Sequence, residues 1–481
     1  MKEKGDFMRI GIIVLGMALF SGTSVSAQDA VKSTQKDQTK IDVTVYNNNL
    51  GLIKDTRRIA LPSGEGELRF MDVASYIMPV TVHVKSLSNP EAFQVMEQNY
   101  EYDLMNYGKL LDKYVGRKIK LIDWNQFQDR KEIVEAALIS NNDNNPVFKI
   151  DNEIYLGHPG YKVLPELPEN LIAKPTLMWL YANEADEPHE IEVSYLTNNI
   201  SWAADYVFVL NQEDTGGDLS GWVTIDNKSG AAYENAKLKL VAGEVQRVQA
   251  PMGRMNYKLG MAMMAEAKAP QFAEEGFFEY HIYDLQRKTT IKDKQTKQIS
   301  LLEAAGIKAE KELLVYGVQS FFTQYYRPQN PKQPVSVYVK FKNSEENHLG
   351  MPLPAGVLRL YKEDSQKSLQ FAGEDRIEHT PKDEEVKVKV GEAFDVVAER
   401  RQTDFKQLTT QLYETAWEVT LRNHKEEDIV VGIIEPLYGN WQVVERSHAF
   451  QKLDAWTIRF DVPVLKDEEV KVAYRIRVGL E

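Results

Sequence analysis

Five methionines, Met252, Met255, Met261, Met263 and Met264, fall at MxxM and MxM spacings in a Met-, Ala- and Gly-rich stretch, residues 251–275. Thioether sulfur is a soft ligand that suits Cu(I), which makes the cluster a candidate copper(I) site. The same composition also makes an adaptable loop, and no His or Cys flanks the cluster. A second cluster, Tyr316, Phe321, Phe322, Tyr325 and Tyr326, gathers before Pro328. Flat rings stack on sugar faces and tyrosine adds a polar handle, so these five form a candidate binding surface for a glycan or a protein. Glu374, Asp375, Glu378 and His379 crowd the chain after Gly373. Carboxylates with imidazole can hold a divalent ion or exchange protons, but the plainer expectation is a solvated hairpin tip before Pro381. Asn141, Asp143 and Asn145 alternate like calcium-loop ligands. Pro146 stands where such a loop needs its sharp-turn glycine, which leaves an Asn-rich turn. Ser33-Thr34-Gln35-Lys36 matches SxxK in form only, in a polar stretch not expected to bury and activate the lysine.

Other catalytic signatures are missing from the chain. It contains no HExxH, GxSxG, Walker A or dinucleotide-binding glycine pattern. The eight histidines are scattered, with no two inside five residues, so no local pair can seed a metal site. Cysteine is absent, which excludes disulfides, thiol nucleophiles and a lipid-bearing cysteine. No cofactor is expected.

The start of the chain reads as an export signal. Lys2, Lys4 and Arg9 precede an apolar run at 10–20 that is too short to span a bilayer, and Val25-Ser26-Ala27 fits a cleavage site before Gln28. Export without disulfides is a bacterial profile, in the periplasm or beyond. No later stretch is long and apolar enough for a transmembrane helix. The formal charge is −13, and loss of the signal, with three positive residues against Glu3 and Asp6, makes the remainder one unit more negative. That balance argues against nucleic acid and anionic membrane surfaces as partners.

Any site must be positioned by strands. The string KDEEVKV occurs at 382–388 and again at 466–472, each time as a charged bend leading into alternating apolar residues. Period-two alternation marks a strand with one buried face. A second pattern, V-x-Φ-x-N with Φ apolar, ends at Asn47, Asn211, Asn227, Asn343 and Asn423. Asparagine suits the residue after a strand because it tolerates left-handed backbone and bonds its own main chain. Leu104, Tyr107, Leu111 and Tyr114 fall at helical spacing, with Asp103 to start a helix and Gly116 to end it. The segment 299–314 is ambiguous between helix and strand. Trp179, Trp202, Trp222, Trp417, Trp441 and Trp456 lie on or beside expected strands and are read as core.

These signals predict an all-β protein of several antiparallel β-sandwich-like domains, with one short helix in the N-terminal region. The expected division is a signal at 1–27, a mobile leader at 28–40 and an N-terminal β-rich domain with the helix at 41–170. A central sandwich at 171–334 carries the Met-rich insertion, and a C-terminal sandwich occupies 335–481.

Several long motifs carry a family likeness. They are ISWAADYVFVL at 200–210, LSGWVTIDNKSGAAYENAKLKLVAGEV at 219–245, and LPAGVLRLYKED at 353–364. FAGEDRIEHTPKDEEVKVKVGEAFDVVAERRQTDF at 371–405 and WEVTLRNHKEEDIVVGIIEPLYGNWQVVE at 417–445 continue it. Together they resemble bacterial proteins grouped as domain of unknown function 4139, and VTVYNNNLGLIKDTRRIALPSGEGELRF at 43–70 resembles the region that precedes it. That family is related to mucoidy-inhibitor-like envelope proteins and has no established activity or catalytic residue. The resemblance implies export, bacterial origin and β architecture. The expected function is non-catalytic contact with an envelope protein or glycan. A hydrolase of envelope polymers, built on two carboxylates from distant strands, is the rival, and copper(I) binding a third possibility. Two facing carboxylates in a cleft would favour the hydrolase, and a shallow aromatic surface would favour contact.

Overall fold

The computed structural model describes residues 30–101, 105–125, 130–166, 174–243, 271–328 and 330–480. Strand formation follows the alternation directly. In Gln38–Tyr46, Ile41, Val43 and Val45 are buried while their neighbours reach solvent, and the strand pairs with Leu50–Ile59 across a turn where Asn49 is left-handed (φ 53°). The architecture is all-β with several sandwich-like sheets, and Tyr107–Lys113 is the one α-helix among the described residues. No helix among them is long and apolar enough to cross a membrane.

The polar stretch expected as a mobile leader is ordered from Ala30 onward. Val31–Ser33 is a strand pairing in parallel with Gly64–Met71, and Thr34 caps the 3-10 turn Gln35–Asp37. Its anchor is Arg57, which donates from Nη1 to the Ser33 carbonyl at 3.1 Å while its Nε and Nη2 hold Asp55. Arg57 also lies 3.5 Å over the Phe70 ring. Ser33 is buried and Lys36 exposed, so hydroxyl and amine share no environment.

Pairing also crosses both expected domain boundaries. Thr176–Asn183 and His189–Asn198 return to the N-terminal strands, pairing with Gly64–Met71 and Leu50–Ile59. Further on, Ser336–Lys342 and Glu385–Glu392 contribute Phe341 and Val388 to the core of the first half. The segment of ambiguous pattern is a strand of 22 residues, Gln295–Tyr316. Its first part pairs with Gly216–Asn227, and its end lies between Ser336–Lys342 and Ile429–Pro436, so one strand serves two cores. The second core is closed by the five-stranded sheet of Val396–Gln407, Leu412–Asn423, Glu469–Gly479, Asn440–Arg446 and the short Lys332–Gln333, around Trp417 and Tyr474.

The two sequence recurrences meet in space. Asn343 and Asn423 are fully buried at strand ends, and their main-chain N–H groups bond Glu384 and Glu468, the third residue of each KDEEVKV copy. The Asn343 carboxamide donates to Met351, Thr380 and Pro381, and that of Asn423 to Glu427, Val464 and Leu465. Asn227 and Asn183 repeat the device, Asn183 clasping Leu61 and Pro62. None of the five patterned asparagines has positive φ, so left-handed backbone is not their reason. A short side chain with two donors and an acceptor saturates the carbonyls where a sandwich end closes away from water. The left-handed residues are instead Asp383 and Asp467, inside the KDEEVKV bends.

Between Phe93–Glu101 and Thr176–Asn183, which are hydrogen-bonded neighbours, the chain makes an excursion that forms a separate small core. Lys118–Asn125, Arg130–Ser140, Val147–Ile150, Glu153–Leu156 and Tyr161–Val163 form a five-stranded antiparallel sheet. The helix packs on one face of it through Leu111, and Tyr114 just beyond joins Ile119, Leu121, Leu138 and Phe148. Asn106 caps the helix, accepting from the Lys109 N–H at 2.9 Å, and Gly116 follows it at φ 84°, while Asp103 lies outside the described residues.

Candidate functional site

The structure disperses most of the residues that the sequence brings forward. The methionines Met252, Met255, Met261, Met263 and Met264 lie outside the described residues, as does the signal. The end of that stretch is a strand, because Phe272–Phe277 pairs with Tyr280–Leu285 and buries Phe272. Glu374 and Asp375 stand on the strand Leu369–Ile377 rather than on a hairpin tip. Glu374 meets Arg359 at 3.1 Å, whereas Asp375 accepts the Lys389 N–H. Asn141, Asp143 and Asn145 do form a turn, in which Asn141 ties back to the helix through the Gly108 carbonyl and Asp112. Among the described residues no three His, Asp or Glu side chains group as a metal site.

The aromatic cluster divides in two. Phe321 and Phe322 are buried and, with Tyr326, pack around Trp417 at centroid distances of 5.1–6.3 Å. Only Tyr316 and Tyr325 are exposed, and each leans on another ring, Tyr338 and Phe405 respectively. Beneath them sits Arg400, fully buried, 5.2 Å from the Phe321 ring centre. Its Nη1 donates to Glu435 Oε1 at 2.5 Å and to the Tyr474 hydroxyl at 2.6 Å, and that hydroxyl donates to the same carboxylate oxygen. Burial opposes the guanidinium charge, yet Glu435 and Tyr474 raise its pKa overall, and burial pushes the Tyr474 hydroxyl well above its usual value. This triad fills the second core, and Gly317 makes room for it: a Cβ there would lie 2.0 Å from Glu435 Oε2.

Every buried carboxylate among the described residues faces a cation. Asp55 holds Arg57, Asp205 holds Arg359, Glu414 holds Arg477 and Glu435 holds Arg400. Glu312 holds Lys387 at 2.7 Å and Arg459 at 2.9 Å, with Lys340 at 3.3 Å. Burial works against its charge, but these bonds hold its carboxyl at about 2. A general acid needs a raised pKa; Glu312 and Glu414 are both displaced downward. A depression of about 630 Å³ lies beside the hairpin around Asn211–Asp218, with Lys308 and Glu363 on its wall. Its Asp218 is committed to the Gly306 N–H at 2.8 Å.

The module inserted after residue 101 differs from the rest. Directly paired residues of an antiparallel sheet share a face. Tyr161, Ile122 and Ile133 are cross-strand partners in one row, and Trp124 and Ile139 share their parity along the strands. Ile154 pairs with Lys149 and Leu156 with Val147 on the same face. The helix covers the opposite face, so this one reaches solvent: Leu156 is 88% exposed, Tyr161 82%, Ile154 66%, Trp124 57% and Ile133 56%. Lys118, Lys120, Lys131 and Lys149 stand among these side chains, with Glu135 as the single acid of that parity. Lys118 lies 4.0 Å from Glu135, and the other three lysines make no ion pair among the described residues. Asp123, Glu132 and Glu153 belong to the helix side by their pairing.

Alternation alone locates these strands without singling out this surface. The signal was present in KIKLIDW, where apolar residues occupy both parities: Ile119 and Leu121 for the core, Ile122 and Trp124 for the other side. A two-sided apolar strand in a sheet covered on one face leaves a surplus. No known protein-family model matches this chain, and a search of curated proteins finds no match either.

Proposed function

We propose that this chain is an exported, non-catalytic contact protein of the bacterial envelope, in which packed sandwiches carry a small module that engages a partner. The supporting observation is the module's outer face, with Trp124, Ile133, Ile154, Leu156 and Tyr161 exposed on one sheet. Exposed large apolar side chains gathered on one face of a folded protein mark an interaction surface. The export signal and the resemblance to envelope proteins of domain of unknown function 4139 support a contact made outside the cytoplasm. Ion pairing of the buried carboxylates weighs against the hydrolase, whose acid and nucleophile must face substrate. The test is affinity capture from envelope extract with residues 28–481 and with a Trp124→Ser/Ile154→Ser variant. Expected is a set of captured components that the variant loses. Identical capture by the two, together with turnover of a purified wall polymer by the wild type, would reverse the assignment.

A further inference from the structure

From the chemistry of the module's outer face, we infer that its partner is the anionic surface of a phospholipid bilayer. The inference rests on the contact function proposed for that face and narrows it to one class of partner. The centre of a protein–protein interface is depleted in lysine, and charged groups are pushed to its rim. Here lysines lie within the face as well as at its ends. Lys120 sits in a row between Val163 and Glu135, Lys131 opposite Trp124, and Lys149 between Ala137 and Ile154. A protein docking on this face would bury their ammonium groups. A bilayer surface would not, because lysine stems lie along apolar surface while the heads reach lipid phosphates. Trp124 and Tyr161 have the amphipathic rings that settle at headgroup level. Five strands at about 4.8 Å spacing make a slab roughly 19 Å wide, presenting its side chains on one side.

The net charge of −13 does not oppose this contact. At physiological ionic strength a charge is screened beyond about 8 Å, so a headgroup at the face senses the charges of the module, with four lysines and Glu135 on the near side, rather than the distant acidic sandwiches. The overall balance therefore misleads as a guide to membrane affinity. The docked side chains are short, so binding is peripheral and reversible.

Vesicle flotation with residues 28–481 tests the inference, using phosphatidylglycerol-containing vesicles against pure phosphatidylcholine. Expected is flotation with the anionic vesicles alone, weakened by added salt. A Lys118→Gln/Lys120→Gln/Lys131→Gln/Lys149→Gln variant should bind at least about tenfold more weakly. An Ile133→Ser/Tyr161→Ser variant should lose binding comparably, and both variants should unfold at the wild-type temperature, since every altered side chain is solvent-facing. Absence of flotation, or equal flotation of wild type and both variants, overturns the lipid assignment. If flotation is absent while the Trp124→Ser/Ile154→Ser variant still loses captured envelope protein, the partner is a protein and the contact function stands. If neither assay separates variant from wild type, both proposals fall.

Discussion

Two five-stranded antiparallel sheets in this chain each bury one face and expose the other, and the exposed faces are built on opposite rules. On the sheet around Leu412–Asn423, outward residues form a lattice of ion pairs: Glu414 with Arg477 at 2.7 Å, Arg475 with Asp404 at 2.7 Å, and Arg422 with Glu399 at 2.5 Å. Charges of both signs satisfy each other there, which blunts the surface toward partners. On the inserted module, apolar side chains and lysines share the outer face with one acid, and nothing in the described chain covers them. A closed surface and an available one can thus be made from the same number of antiparallel strands. The difference lies in which residues occupy the parity that faces away from the core.

The comparison can be broken first from the core beneath the ion-paired sheet. Glu435→Leu leaves Arg400 charged and buried without its carboxylate, and the second core should lose about 3–5 kcal/mol in denaturant unfolding. A paired Arg400→Met/Glu435→Leu change should recover most of that loss. Asn423→Ala strands the Glu427, Val464 and Leu465 carbonyls and should cost roughly 2–3 kcal/mol. Asn211→Ala, whose carboxamide bonds only Thr215 in an exposed hairpin, should stay within about 0.5 kcal/mol of wild type. If the two asparagines cost the same, the clasp is not what holds the sandwich ends.

Acid should separate the regions next. The carboxyl of Glu312 is held at about 2, below its ordinary value of 4.5. Its contribution is complete above the ordinary value and is lost as pH falls from there toward the folded value. Unfolding temperature measured from neutral pH downward should drop through that window, and Glu312→Gln should flatten the drop while lowering stability at neutral pH. An unchanged acid profile would remove Glu312 from the account. The smallest effects belong to the outer faces. Glu414→Ala should cost about 1 kcal/mol by thermal unfolding, since its partners Arg477 and Arg475 keep contact with solvent. Ile133→Ser should change stability by no more than about 0.5 kcal/mol. A large loss at Ile133 would show that the face is structural rather than available.

Much of the local structure was legible. Alternation located Gln38–Tyr46, Ser336–Lys342 and Glu469–Gly479, and the helix emerged at Tyr107–Lys113 from the spacing of Leu111 and Tyr114. The boundaries were not legible, because strands from distant parts of the chain complete each other's sheets, as Thr176–Asn183 does with Gly64–Met71. The aromatic cluster from Tyr316 to Tyr326 shows the same limit. Composition marked it as a surface, yet Phe321 and Phe322 turn inward over Arg400 because the second core closes around Trp417.

By itself the amino-acid sequence determined that this is a protein of half-buried strands, since a period of two in apolar residues is a local property of extended backbone. It also contained both halves of the asparagine clasp as separate recurrences. Tertiary structure alone decided which strand faces were covered, because cover depends on what packs from elsewhere in the chain. Leu121 and Ile122 are adjacent and alike in chemistry, yet Leu121 joins the core beneath the helix while Ile122 lies on the uncovered side.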